Sequence, residues 1–358
     1  MRIVSLLPST TEILFAIGAG DDVVGVTFEC DFPAEARTRK IVSTSAMPEG
    51  LAPAEIDAFV ASAVRRGDDL YHLEADALAG LDADLVVTQD LCAVCAVDVT
   101  AVDDALSYLG CRAEVMTIDP HNLDEVLDSV RRLGERTGHS DRAAEIQAGL
   151  RDRLAAVRRA VGGRSRPRML VLEWTDPPFA PGHWIPEMVE LAGGVPALGR
   201  TGEKSYRITW DEATAAEPDV VVCAPCGYGL PEARALAEDV VSRFPGIPVW
   251  AVDANASYAR PGPRLVDGVE ALAEILHPGR SARAPGQALS TCLRSPWPAV
   301  RRPEGAPLRC EISRDNPGMA SIPRLAEHPT WMRRARRPRL LKHVLGGGLP
   351  MRPPLPGR

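Results

Sequence analysis

RIVSLLPSTTEILFAIGAGDDVVGV, residues 2–26, decides how the rest of the chain reads. Arg2 to Leu7 is a short apolar run of strand length, ended by Pro8. Ser9 or Thr10 suits a helix N-cap, Glu12 places a negative charge in the first turn, and Ile13 to Ile17 supplies apolar side chains. Gly18 and Gly20 close that helix, and Val23 to Thr27 is a second apolar strand. Strand, helix and strand in so short a stretch make a βαβ unit, whose parallel strands are buried on both faces.

The same alternation continues outward. Ile41-Val42 begins a short strand, and Ala54 to Arg66 has helical periodicity with Pro53 at the first helical position. Leu73 to Leu78 is a short helix, Asp84 to Thr88 a buried strand, Val99 to Leu109 a helix stopped by Gly110, and Glu114 to Ile118 another strand. From Leu123 to about Val161 the chain is almost all helix formers, with Val126, Val130 and Leu133 at helical spacing. Gly138-His139-Ser140 can divide that stretch, with Ser140 capping its second half.

The second half repeats the first. Arg168 to Leu172, Asp219 to Cys223 and Val249 to Val252 read as strands, with helices over 184–191, 210–216, 231–243 and 262–276. Asp84-Leu85-Val86-Val87 is answered by Asp219-Val220-Val221-Val222, and a C-x-x-C lies at or just beyond each of those strands. The expected fold is therefore α/β, with two parallel-sheet lobes joined by a long helix. Ligands bind beyond the carboxyl ends of parallel strands, so two facing lobes predict a cleft between them. The expected domains are an N-terminal lobe (1–120), a connecting long helix (121–163), a C-terminal lobe (164–280) and a tail (281–358).

Composition narrows the function. Of the 358 residues 45% are hydrophobic and 25% charged, which is the balance of a soluble globular protein. Residues 281–358 hold 15 Lys/Arg against 4 Asp/Glu, a net of +11, and residues 1–280 hold 26 against 44, a net of −18. An acidic body argues against nucleic acid, which needs a basic surface to neutralise phosphate. The Arg- and Pro-rich tail is expected to be mostly disordered, serving as a basic arm for an acidic partner or as a dispensable extension. No run of apolar residues is long enough for a membrane span, and the opening residues lack the pattern of a secretory signal. These features predict a cytoplasmic protein whose eight cysteines are free thiols, metal ligands or redox groups.

Residues 2–26 closely resemble the opening of mature periplasmic vitamin B12 and iron-siderophore binding proteins. Residues 73–87 resemble that family's second signature, and residues 210–222 the matching segment of its second lobe. The resemblance covers roughly residues 2–278. It implies a class III substrate-binding protein, with two α/β lobes on one rigid helix and the ligand between them. Residues 29–33, 90–97, 173–178, 182–184 and 225–228 are similar to a cobalamin-binding, B12-type subgroup without a signal peptide. The implied ligand is cobalamin, another corrinoid or a related metal-chelate. An ABC transporter partner is not expected for a chain held in the cytoplasm.

The candidate ligand-binding residues follow from strand ends and loops. In the first half they are Ser9, Glu29, Cys30, Asp31, Asp90, Cys92 and Cys95; in the second, Trp174, His183, Trp184, Cys226, Tyr228 and Tyr258. Thiolates and a neutral imidazole are the groups that ligate cobalt, zinc or iron, so Cys30, Cys92, Cys95, His183 and Cys226 are the metal candidates. The bland alternative for each cysteine is a small buried residue, strongest for Cys111 and Cys223. Aromatic side chains in the strand-end loops suit the flat face of a macrocycle. No G-x-S-x-G, H-E-x-x-H or phosphate-binding glycine loop is present. The reading favours a binder of a small metal-chelate. The alternative is a cytosolic metal- or thiol-dependent enzyme using the cleft cysteines and His183.

Overall fold

The alternation of residues 2–26 becomes two parallel sheets in the computed structural model, which describes residues 1–89, 102, 113–279 and 290–294. The first sheet runs in the order Lys40–Ile41, Val23–Val26, Ile3–Ser5, Leu85–Thr88, Glu114–Thr117, and every pairing is parallel. The second runs Val195–Pro196, Arg168–Leu172, Val220–Cys223, Val249–Val252, also parallel. In each sheet the first strand of the lobe lies inside, and the chain winds to one side of it and then to the other. That reversal opens a crevice at the carboxyl ends of the strands.

Period-two burial explains why these segments are strands. Ile3, Leu85 and Val87 enter one core, and Val4 and Val86 enter the core on the other face. Met169 and Val171 are likewise divided from Leu170 and Leu172. The repeated Asp of the sequence has a structural meaning. The Asp84 carboxylate accepts from the Arg2 backbone N–H at 2.7 Å, and Asp219 accepts from that of Arg168 at 2.8 Å. Each arginine side chain also donates to a carbonyl of its own lobe, Arg2 to Leu81 and Arg168 to Ala216. The same clip thus ties the amino end of both sheets.

Three local expectations change. The first helix is Pro8–Ala16 with Leu7 at its N-cap, so neither Ser9 nor Thr10 caps it. Pro8 fits the opening turn, and the Thr10 and Thr11 hydroxyls donate back to the Leu7 carbonyl at 3.1 and 3.0 Å. The connecting stretch is not one helix but two, Leu123–Thr137 and Ser140–Val161. Gly138 ends the first in the left-handed region at φ 77°, and His139 rather than Ser140 is the next N-cap. Finally, Ser290–Arg294 within the tail forms an antiparallel edge strand on Val249–Val252. It gives five residues of regular structure to a tail expected to be mostly disordered.

The two helices pack side by side and tie the lobes together. Leu123, Val126 and Leu127 enter the C-terminal core, whereas Val130 and Leu133 enter the N-terminal core. The return helix begins with Ala143 in the N-terminal core and ends with Leu150, Leu154, Val157 and Val161 in the C-terminal one. Its 22 residues extend about 33 Å at the ordinary helical rise, enough to reach both lobes. At their closest approach stands Gly134, where a Cβ would lie 2.3 Å from the Cβ of Ala143.

Candidate functional site

The loops at the carboxyl ends of the two sheets face each other. Trp174, just after the strand Arg168–Leu172, donates from Nε1 to the Pro53 carbonyl of the N-terminal lobe at 3.3 Å and to Asp176 O at 3.0 Å. Arg207 reaches Asp57 of the helix Pro53–Arg66 at 2.6 Å. Each lobe brings an aromatic pair to this region. Phe28 and Tyr71 have ring centroids 6.0 Å apart, and Trp174 and Tyr228 are 5.6 Å apart. The Tyr71 hydroxyl donates to Glu29 Oε2 at 3.3 Å.

A charged cluster joins the lobes beside these rings. Arg260 Nη1 lies 2.5 Å from Asp31 and 3.4 Å from Glu12, and its Nη2 donates to the Glu29 carbonyl at 3.2 Å. Arg264 lies 3.5 Å from the same Glu12 oxygen, and its guanidinium stands 4.3 Å over the Phe32 ring. Glu12 is all but removed from solvent. Burial raises its pKa from 4.5 to about 7, against the opposing pull of Arg264 and Arg260. Burial also raises the Glu29 carboxyl.

The sign for stability follows from the protons bound. Between 4.5 and about 7 the folded chain keeps a proton on Glu12 that the unfolded chain has released, so stability falls as pH rises through that window. Glu12→Gln should flatten that slope. Urea midpoints at about pH 5 and about pH 8 should differ less in the variant than in the parent; an unchanged difference would show that Glu12 titrates normally.

The structure separates the sequence candidates. Asp31 and the Glu29 carbonyl meet Arg260 of the other lobe, and Trp174, with Tyr228 beside it, meets the Pro53 carbonyl. Ser9 is buried under the loop that carries Arg260 and Arg264, its Cα 3.8 Å from where a Cβ on Gly262 would stand. Trp184 and Tyr258 do not line the cleft. Both belong to the C-terminal core, where Trp184 Nε1 donates to the Tyr258 carbonyl at 2.8 Å and the Tyr258 hydroxyl donates to Gly268 O at 3.2 Å. An apolar body with one satisfied polar tip makes a good core residue, which is why loop position misled.

The thiols are also redistributed. Cys30 is buried against Thr11 Oγ1 at 3.0 Å, and burial pushes its pKa up to about 12, so it holds its proton at neutral pH. Cys223 is a core residue pushed to about 12 by burial alone, whereas Cys226 is exposed. A pair pointing to opposite environments does not make a chelate. Asp90, Cys92, Cys95 and Cys111 lie outside the described residues. Among the described residues no group of three or more His, Cys, Asp or Glu side chains is placed to hold a metal ion.

His183 adopts a left-handed backbone at φ 48°, held by its N–H donating to the Glu203 carbonyl at 2.6 Å. Its ring packs 5.4 Å from Trp184 and 6.4 Å from His121. Burial, then the neighbouring His121 and Lys204, lower its pKa and favour the neutral imidazole.

Sequence reasoning missed Glu12, Arg260 and Arg264 as a unit. Two signals were present: a single carboxylate inside a helix buried from Pro8 to Leu14, and the symmetrical loop Arg260-Pro261-Gly262-Pro263-Arg264.

A sequence model of the periplasmic binding protein family matches residues 3–247. An uncharacterized ABC transporter substrate-binding lipoprotein of Bacillus subtilis is 24% identical over 77% of this chain and 80% of its own length. A cobalamin-binding protein of Halobacterium salinarum is 26% identical, covering 77% of this chain and 69% of that protein. A periplasmic heme-binding protein from Pseudomonas aeruginosa superposes with a TM-score of 0.58 at 19% identity, over 81% of this chain and 97% of that one. These findings overturn the cytoplasmic location. The matching family is periplasmic, one relative is a lipoprotein and the structural neighbour is periplasmic, all of which point outside the cytoplasm. The cytoplasmic expectation rested on the opening residues alone, whereas the whole fold is one that works extracytoplasmically in its relatives.

Proposed function

The chain belongs to the periplasmic binding protein family, and we propose that it holds a corrinoid between its lobes and presents it to an ABC-type importer. In this reading residues 1–120 and 164–280 are the two ligand-holding lobes and 121–163 the strut between them. Glu29, Asp31, Trp174 and Tyr228 are the contacts carried forward from the sequence, with Phe28 and Tyr71 added.

One observation carries the choice of ligand. Each lobe carries aromatic faces near its contacts with the other, and two of the arginines that cross between the lobes are already paired, Arg207 with Asp57 and Arg260 with Asp31, while Arg264 shares the buried Glu12 and covers the Phe32 ring. Aromatic walls with hydrogen-bonding groups suit a large ring whose edge carries neutral amides. A ring carrying two carboxylates asks for unpaired cations, since a charge taken out of water needs a partner. The cobalamin-binding relative supports the same choice.

The test is thermal unfolding with cyanocobalamin, dicyanocobinamide and haemin in turn. At a corrinoid concentration about 100 times Kd the stabilisation should be about 2.7 kcal/mol, which raises Tm by roughly 5–10 °C. Haemin should give much less. A shift with haemin and none with either corrinoid would reverse the assignment.

A further inference from the structure

We infer that the loop Arg260–Arg264 is a latch that holds the two lobes closed in the absence of ligand. Its construction is stiff, and Pro261 and Gly262 are buried. Pro261 and Pro263 each fix φ near the same value and flank Gly262. The loop is braced internally by Gly262 N–H to the Arg260 carbonyl at 2.8 Å and Leu265 N–H to the Gly262 carbonyl at 3.1 Å, and it follows directly on Tyr258, which is buried in the C-terminal core, and on Ala259, whose N–H donates to the Ala254 carbonyl at 2.8 Å. The last helix, Leu265–Leu276, starts directly after it and is packed into the C-terminal core. A residue on this loop therefore moves with the C-terminal lobe as a rigid body.

Among the described residues, the side-chain partners of the two arginines belong to the other lobe. Arg260 takes Asp31, Glu12 and the Glu29 carbonyl, and Arg264 takes Glu12 and the face of Phe32. Glu12 rises from the first helix, and Glu29, Asp31 and Phe32 follow the strand Val23–Val26. Gly262 presses on the start of that helix. A Cβ there would stand 3.7 Å from both the Glu12 carboxylate and the Ser9 carbonyl. Arg260 and Glu12 keep only 13% and 2% of their side-chain exposure, so this contact is far better shielded than an ordinary surface ion pair. Opening the lobes strips both arginines from their partners at once. It also leaves the Glu12 carboxyl group facing the gap without either arginine. The latch shares Glu29 and Asp31 with the proposed ligand contacts and leaves the aromatic pairs Phe28–Tyr71 and Trp174–Tyr228 uncovered by its arginines.

Hydrogen exchange of the ligand-free full chain, read by mass spectrometry, tests this. Arg260→Ala should speed exchange in residues 27–31 and 259–265 by about tenfold, with the strands Ile3–Ser5 and Arg168–Leu172 unchanged. Arg153→Ala is the control. It removes a comparably paired arginine of the strut whose partners, Asp267 and Glu270, lie in the helix Leu265–Leu276 of the C-terminal lobe, and it should leave residues 27–31 at the parent rate. Unchanged exchange in Arg260→Ala overturns the latch. So does a rise spread equally through the strands, because it would mark a general loosening of the fold. The measurement involves no ligand, so its outcome is independent of the ligand proposed above.

Discussion

Trp174→Ala is expected to weaken corrinoid binding by about thirtyfold, on the order of 2 kcal/mol. The indole is the largest aromatic surface at the meeting of the lobes, and a ring of this size buries about 150–250 Å² when fully covered. It is also positioned before ligand arrives. Its Nε1 donates to both Asp176 O and Pro53 O, and its face lies against Tyr228. A pre-placed ring loses little rotamer entropy on binding, so its truncation costs contact area and preorganisation together. Trp174→Phe separates the two contributions. It keeps a ring but loses the donor to Pro53, and should recover most of the affinity with a faster off-rate. Titration calorimetry with dicyanocobinamide measures both variants. Equal affinity in Trp174→Ala and the parent would place the ligand elsewhere.

The second large effect lies away from the cleft. Gly134→Ala should lower Tm by roughly 4–10 °C, corresponding to about 2–3 kcal/mol in a chain of this size. Alanine is the better helix former by about 1 kcal/mol, so propensity alone predicts the opposite sign. The new Cβ, however, would stand 2.3 Å from the Cβ of Ala143 and 3.2 Å from the His139 carbonyl, where contacts between carbons need about 3.5–4.0 Å. The two strut helices must separate, and both cores are strung along them. Ala143→Gly added to Gly134→Ala clears the first clash and should recover most of the loss. If the single variant is as stable as the parent, the helices do not pack as described.

Much of the fold was legible because it depends on repeating local patterns. Apolar strands such as 3–5 and 220–223 are buried on both faces, so they stand out as unbroken runs. Asp84 and Asp219 recur because each lobe must tie the same strand end. Parts of the proposed site are marked in the same way: Glu29, Asp31, Trp174 and Tyr228 follow strands in the sequence. What failed was the step from loop position to exposure. Trp184 and Tyr258 are in loops or short turns, yet the C-terminal core closes over them. Cys30 sits at a strand end, yet it is buried on Thr11, where desolvation keeps the thiol protonated.

The sequence by itself determined the two α/β lobes, which follow from hydrophobic period and local turn chemistry readable within a few tens of residues, and pointed to the family through the resemblance of residues 2–26, 73–87 and 210–222. Only the tertiary structure decided that Arg260 and Arg264 meet Glu12 and Asp31 across more than two hundred residues of chain. It also decided that the two helices divided at Gly138-His139 pack side by side and reach both cores. A charge's partner depends on where the chain returns in space, and no local pattern carries that distance.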